Sequence, residues 1–122
     1  MTTPTTIAVV AEKPSVARDI ASDDDVATQA LWRTAMAKVL ARSGQDDEAA
    51  RMASEATDLL AGTDWLCMQA DAHLDSAEVA RLAGRHPDAL AAVEKALRLY
   101  DRKGDDASVR RARTVRLSLT PA

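Results

Sequence analysis

Through most of this chain, apolar positions recur three and four residues apart with charged residues between them, the period of a helix buried along one face. Each alanine-rich run stops at a glycine (Gly44, Gly62, Gly84 or Gly104), the residue that most easily takes the left-handed turn closing a helix. The pattern predicts a first helix from about Asp25 to Ser43 and a second capped by Asp46 or Asp47, with acidic residues in its first turn where the helix dipole favours them. A third should span about Asp64 to Ala83. Pro87 opens a fourth, with His86 before it at a cap or turn position. A last helix from about Asp106 to Leu119 ends before Pro121. Upstream, residues 2–6 read as loose, Ile7 to Val10 as a β-branched run, and residues 14–21 as a short helix.

The pattern repeats. Gly44 and Gly84 lie forty positions apart, Gly62 and Gly104 forty-two, and at a shift of forty Ala37, Ala49, Ala53 and Ala56 fall opposite Ala77, Ala89, Val93 and Ala96. Val39 with Val79 and Leu59 with Leu99 supply matching larger core positions. A fixed period of roughly 20 to 50 residues marks stacked helix pairs, and small residues mark where paired helices approach closely. The expected fold is all-α: a short extended N-terminal arm over residues 1–24, two helix hairpins over 25–104, and a capping helix with its tail over 105–122. That cap should lay Val109, Ala112, Val115 or Leu117, and Leu119 across the open end of the second hairpin.

The spacing Ala37-Gly44-Ala49-Ala56, matched by Ala77-Gly84-Ala89-Ala96, resembles the tetratricopeptide repeat over residues 26–104. The chain departs from that family in its longer period, against about 34 residues, and in replacing the bulky aromatic positions by Ala, Met and Leu. In this longer form it resembles the helical-repeat tails that follow cyclase or ATPase domains in actinobacterial regulators, a likeness that carries over no catalytic residue. The family lines its concave surface with the first helix of each pair. The resemblance therefore implies a groove built from Thr34, Lys38 and Arg42 and from Asp71, Leu74, Glu78 and Arg81, holding a protein or peptide partner that carries both signs of charge. The function expected is a non-enzymatic interaction scaffold. Exposed ends stacking between copies, as a homo-oligomer, are a further reading.

A second resemblance lies in residues 11–21, AEKPSVARDIA. It is similar to the opening of the toprim domain of type IA topoisomerases, which implies acid–base and magnesium-assisted work for Glu12 beside Lys13. That chemistry also requires an Asp-x-Asp pair on a later strand and a nucleophilic tyrosine. Asp23, Asp24 and Asp25 have no second strand to aim them, and Tyr100 falls opposite Leu60 as packing or half-buried surface. A truncated or fused toprim-like fragment is the alternative; no catalytic residue, metal or cofactor is expected.

Composition narrows the rest. Phe is absent from the 122 residues, and Trp32, Trp65 and Tyr100 are the only aromatics, so the core is Ala, Leu, Val and Met. Cys67 stands alone, which rules out an internal disulfide and suits a cytoplasmic location. The apolar run Ile7 to Ala11 is shorter than the roughly 18 residues of a membrane span. Residues 1–85 carry 8 Lys/Arg against 14 Asp/Glu, and residues 86–122 carry 8 against 5. This polarity falls short of the clustered charge of a nucleic-acid binder, and Arg110, Arg111, Arg113 and Arg116 read as a charged outer face on the cap. His73 cannot share a helical face with Asp71 or Asp75, so those two aspartates read as a solvated edge rather than metal ligands.

Overall fold

The computed structural model describes residues 23–119, and every element within them is an α-helix: α1 Asp23–Arg42, α2 Asp46–Ala61, α3 Leu66–Leu82, α4 His86–Lys103 and α5 Asp106–Leu119. The arm, with Glu12 and Lys13, lies outside the described residues. Helix α1 packs on α2 and α3 on α4, the pairs meet through α1, α2 and α3, and α5 lies against α4.

Two tight turns explain the hairpins. Gly44 and Gly84 sit at φ +79° and +76°, a region that side-chain-bearing residues rarely adopt. Each lets the chain fold back so that Gln45 N–H donates to the Leu40 carbonyl at 3.0 Å and Arg85 N–H to the Ala80 carbonyl at 2.9 Å. Gln45 and Arg85 then serve at once as the N-caps of α2 and α4, without a side-chain cap hydrogen bond. Asp46 and Asp47 are thus first-turn residues and not caps, and His86 and Pro87 already belong to α4. Asp105 does cap: its carboxylate accepts from Ser108 N–H at 3.1 Å and from the Ser108 hydroxyl at 2.6 Å, which holds the acid below its ordinary pKa.

Gly62 differs from the other three. It is right-handed at φ −81°, because Thr63 donates its N–H (3.0 Å) and its hydroxyl (2.7 Å) to the Leu60 carbonyl, so no left-handed residue is needed. The loop then carries the chain to Leu66, two residues past the expected start of the third helix.

Alanine lines the contacts, as expected: Ala37, Ala49, Ala77 and Ala89 are all at most 1% exposed. Val79 closes against Ala37, Ala41, Ala49, Met52 and Ala53. Its counterpart Val39, expected in the core, is instead 55% exposed, since no described helix covers that side of α1 as α1 and α2 cover α3. Leu59 and Leu99 pack only partly at the margins, and the buried pair is Leu60 and Tyr100 one residue further on. On α5, Val109, Ala112 and Leu119 are buried and Val115 packs beside them, while Leu117 points out at 72% exposure. The sequence left Arg33 unremarked. It is buried, reaches Glu55 at 3.0 Å and Gln29 Oε1 at 2.7 Å, and ties α1 to α2.

Candidate partner-binding groove

Residues 71, 74, 75 and 78 recur at helical spacing and form one face of α3. That face floors a groove of about 720 Å³ whose walls are Leu31 of α1 and Tyr100, Arg111, Val115, Ser118 and Leu119 of α4 and α5. Leu74 and Val115 give it an apolar strip, and Arg81 stands at the C-terminal end of α3.

The acids of α3 meet cations from both neighbours. Lys38 Nζ lies 2.6 Å from Asp75 and 3.7 Å from Glu78, and Arg42 lies 3.8 Å from Glu78. The hydrogen bond to Asp75 raises the pKa of Lys38 above the ordinary value, which on its own would mark a favourable pair. The Asp75 carboxyl also shifts upward, because its desolvation outweighs the attraction of Lys38. Both ends of the pair are about equally exposed, at 29% and 30%, so water screens the attraction while Asp75 still carries a desolvation cost, and the contact aligns α1 with α3 more than it stabilises either.

At the other wall, the Tyr100 hydroxyl donates to Asp71 and accepts from Arg111 at 3.0 Å, while Arg111 lies 3.5 Å from Asp71. The arginine also sits over the ring, 5.7 Å from its centroid. Burial and the Asp71 carboxylate push the phenol well above its usual pKa. This triad joins α3, α4 and α5, and it fixes one edge of the groove.

Of the seven residues expected in the groove, Asp71, Leu74, Glu78 and Arg81 line it, and Lys38 and Arg42 reach it through Glu78. Thr34 is half-buried at a small recess beside Asp71 and Asp75, its hydroxyl donating to the Ala30 carbonyl of its own helix at 2.9 Å. The sequence missed four members. Asp75 is partnered rather than a solvated edge, Tyr100 takes the packing alternative expected for it and its place at the groove wall was not foreseen, Arg111 turns into the groove, and Leu31 contributes an apolar wall. Arg116 also leaves the outer face, pairing with Glu94 at 3.0 Å. A hydroxyl at a core position was the one available signal, since a buried Tyr O–H requires a partner.

On the opposite side, His73 opens into a separate cleft between α2 and α4 with Ser54, Thr57, Ser76 and Lys95. Desolvation, with the nearby charges of Lys95 and Arg98, lowers the pKa of its imidazole. Among the described residues no three His, Cys, Asp or Glu side chains converge as a metal site, and no helix is long and apolar enough to cross a membrane. No protein-family model, curated protein or solved structure matches the chain.

Proposed function

We propose that this protein is a non-enzymatic, tetratricopeptide-type interaction scaffold that holds a protein or peptide partner in the groove across α1, α3 and α5. The observation that supports the reading is the groove itself, an apolar strip of Leu31, Leu74 and Val115 bordered by charged side chains of α3 and α5, with Lys38 and Arg42 of α1 reaching its edge through Glu78. An apolar strip with charged margins suits an amphipathic segment, the apolar side chains supplying affinity and the charges setting register. The three α3 acids are already engaged by Lys38, Arg42, Tyr100 and Arg111. Arg81 has no ion-pair partner among the described residues and remains available to a carboxylate of the ligand. A lone cysteine with nothing to pair with suits a reducing compartment such as the cytoplasm.

The experiment is site-specific photo-crosslinking in cells, with the reactive group at Ser118 inside the groove or at Ala91 on the opposite surface. A partner identified by mass spectrometry should be captured through Ser118 alone. Its binding to purified protein should weaken on the order of tenfold in Arg81→Glu combined with Leu31→Ser, both exposed positions where substitutions leave helix content intact. Equal capture at Ala91, or a partner indifferent to the double substitution, refutes the groove assignment.

A further inference from the structure

The cleft opposite the groove collects donors that the fold leaves without acceptors. It measures about 400 Å³ and lies among three helices, with Ser54 and Thr57 of α2, His73 and Ser76 of α3 and Lys95 of α4 around it. A serine or threonine inside a helix ordinarily turns its hydroxyl onto a backbone carbonyl about one turn back. Thr34, Thr57, Thr114 and Ser118 all do so. The hydroxyls of Ser54 and Ser76 make no such bond among the described residues, and both residues line this cleft.

Lys95 is equally unengaged. It stands one turn before the exposed Arg98 on the same side of α4, a spacing at which like charges repel. The acid placed to relieve Arg98, Glu94 one turn back, is turned away to Arg116. Neither cation has an ion-pair partner among the described residues. Their field reaches the half-buried imidazole of His73, which desolvation and these two charges together keep neutral.

We propose that this cleft binds a small phosphate monoester, its phosphoryl group held between Lys95, His73 and the hydroxyls of Ser54 and Ser76. Donors arriving from three helices match the three free oxygens of a tetrahedral phosphoryl group better than the two coplanar oxygens of a carboxylate. The charge has the right sign, because a dianion offsets both Lys95 and Arg98 and relieves the repulsion between them. Ala50, Ala80 and Ala91 supply an apolar lining for the organic part of the ester. The volume falls at the small end of ligand pockets, which run from about 300 to 1,000 Å³, so it suits a small molecule rather than a folded partner. Such a ligand places no protein beside Ala91, and the groove lies on the other side of α3, so this site is independent of the partner reading.

The test is proton NMR of the full chain at constant ionic strength and neutral pH, with His86→Gln assigning the ring resonances of the two histidines. Titrated with inorganic phosphate, the His73 resonances should shift and saturate with half-effect on the order of a millimolar while those of His86 stay in place, and phenyl phosphate should bind several-fold more tightly through the alanine lining. A bound anion also offsets the charges of Lys95 and Arg98, so the pKa of His73 should rise on binding. The remaining charged groups of the cleft, Asp88 and the Arg85–Asp47 pair, lie two turns or more from Lys95 toward the start of α4. Lys95→Glu, at an exposed position, should weaken binding at least tenfold with unchanged helix content, and Arg81→Glu in the groove should leave it unaltered. A His73 signal that phosphate leaves unmoved, that acetate moves as far, or that responds equally in Lys95→Glu overturns the proposal. So does phenyl phosphate binding no more tightly than inorganic phosphate, or binding confined to a phosphoserine peptide, which would assign the cleft to a protein partner.

Discussion

Two glycines that look alike in the sequence should respond oppositely to the same substitution. A Cβ built on Gly84 or on Gly62 meets no atom within 4 Å, so steric contact cancels from the comparison and backbone conformation alone remains. Gly84 is left-handed at φ +76° and Gly62 right-handed at φ −81°. Alanine in the left-handed region costs about 1–2 kcal/mol, while the loss of glycine's freedom in the unfolded chain returns about 0.4–1 kcal/mol. Gly84→Ala should therefore destabilise by about 0.5–1.5 kcal/mol, and Gly62→Ala should stabilise by up to about 1 kcal/mol. For a domain of this size each kcal/mol moves the melting temperature by roughly 4–8 °C. Thermal and urea unfolding followed by far-ultraviolet circular dichroism reads both. If the two variants shift the same way, the opposite hands of the two turns cannot be what governs their stability.

The other predictions concern the core and the groove walls. Ala89→Leu, at a position of 0% exposure, should cost about 1–3 kcal/mol by overpacking the α3–α4 contact; an unchanged urea midpoint would contradict that contact. Tyr100→Phe should cost about 1–2 kcal/mol, since it removes a hydrogen bond to a charged but half-exposed partner; a neutral outcome would dissolve the α3–α4–α5 triad. Because the folded phenol titrates above the unfolded one, its contribution is intact below about pH 10 and lost as pH rises beyond. The absorbance of this single tyrosinate should therefore appear only together with alkaline unfolding, and a normal titration in folded protein would refute the burial. Asp75 has a raised folded pKa, so its ionised form is better accommodated in the unfolded chain and its contribution to stability falls as pH rises above its ordinary 3.8. Asp75→Asn should accordingly gain in melting temperature relative to wild type between acidic and neutral pH, and a pH-independent difference would count against the desolvation.

Much of the helical layout could be read from the chain because its signals are local. Helical period, glycine stops and buried alanines each depend on a few neighbouring residues, and Ala37, Ala49, Ala77 and Ala89 lie where the shift of forty puts them. What the chain concealed depends on tertiary surroundings. Val39 and Val79 look equivalent, yet one is exposed and the other buried because, among the described residues, only α3 has a hairpin on that side. Gly62 matches the other glycines in type, but Thr63 satisfies the Leu60 carbonyl and removes the need for a left-handed residue. Arg110 and Arg111 are neighbours in sequence, and only the rotation of α5 sends the second to Asp71. Of the groove residues, the α3 face was legible from its helical spacing, whereas the Tyr100 contact is formed across 29 positions.

The ion pairs between hairpins have a task that the core leaves open. Alanine offers close approach but little shape, so helices lined by it can slide or rotate with modest loss of contact, unlike interfaces keyed by large side chains. Here Asp71, Asp75 and Glu78 stand three and four residues apart on α3, a spacing at which like charges repel within a helix. That repulsion is relieved only if cations arrive from elsewhere, and they arrive from both sides: Lys38 and Arg42 from α1, Arg111 from α5. Arg85, just ahead of α4, meets Asp47 of α2 at 2.7 Å, and Arg116 of α5 meets Glu94 of α4. Each exposed pair contributes at most about 1 kcal/mol to stability, yet any slip of one hairpin along the other would break several at once and leave the α3 acids uncompensated. The charges that line the groove are thus the same charges that fix the register of the helices forming it.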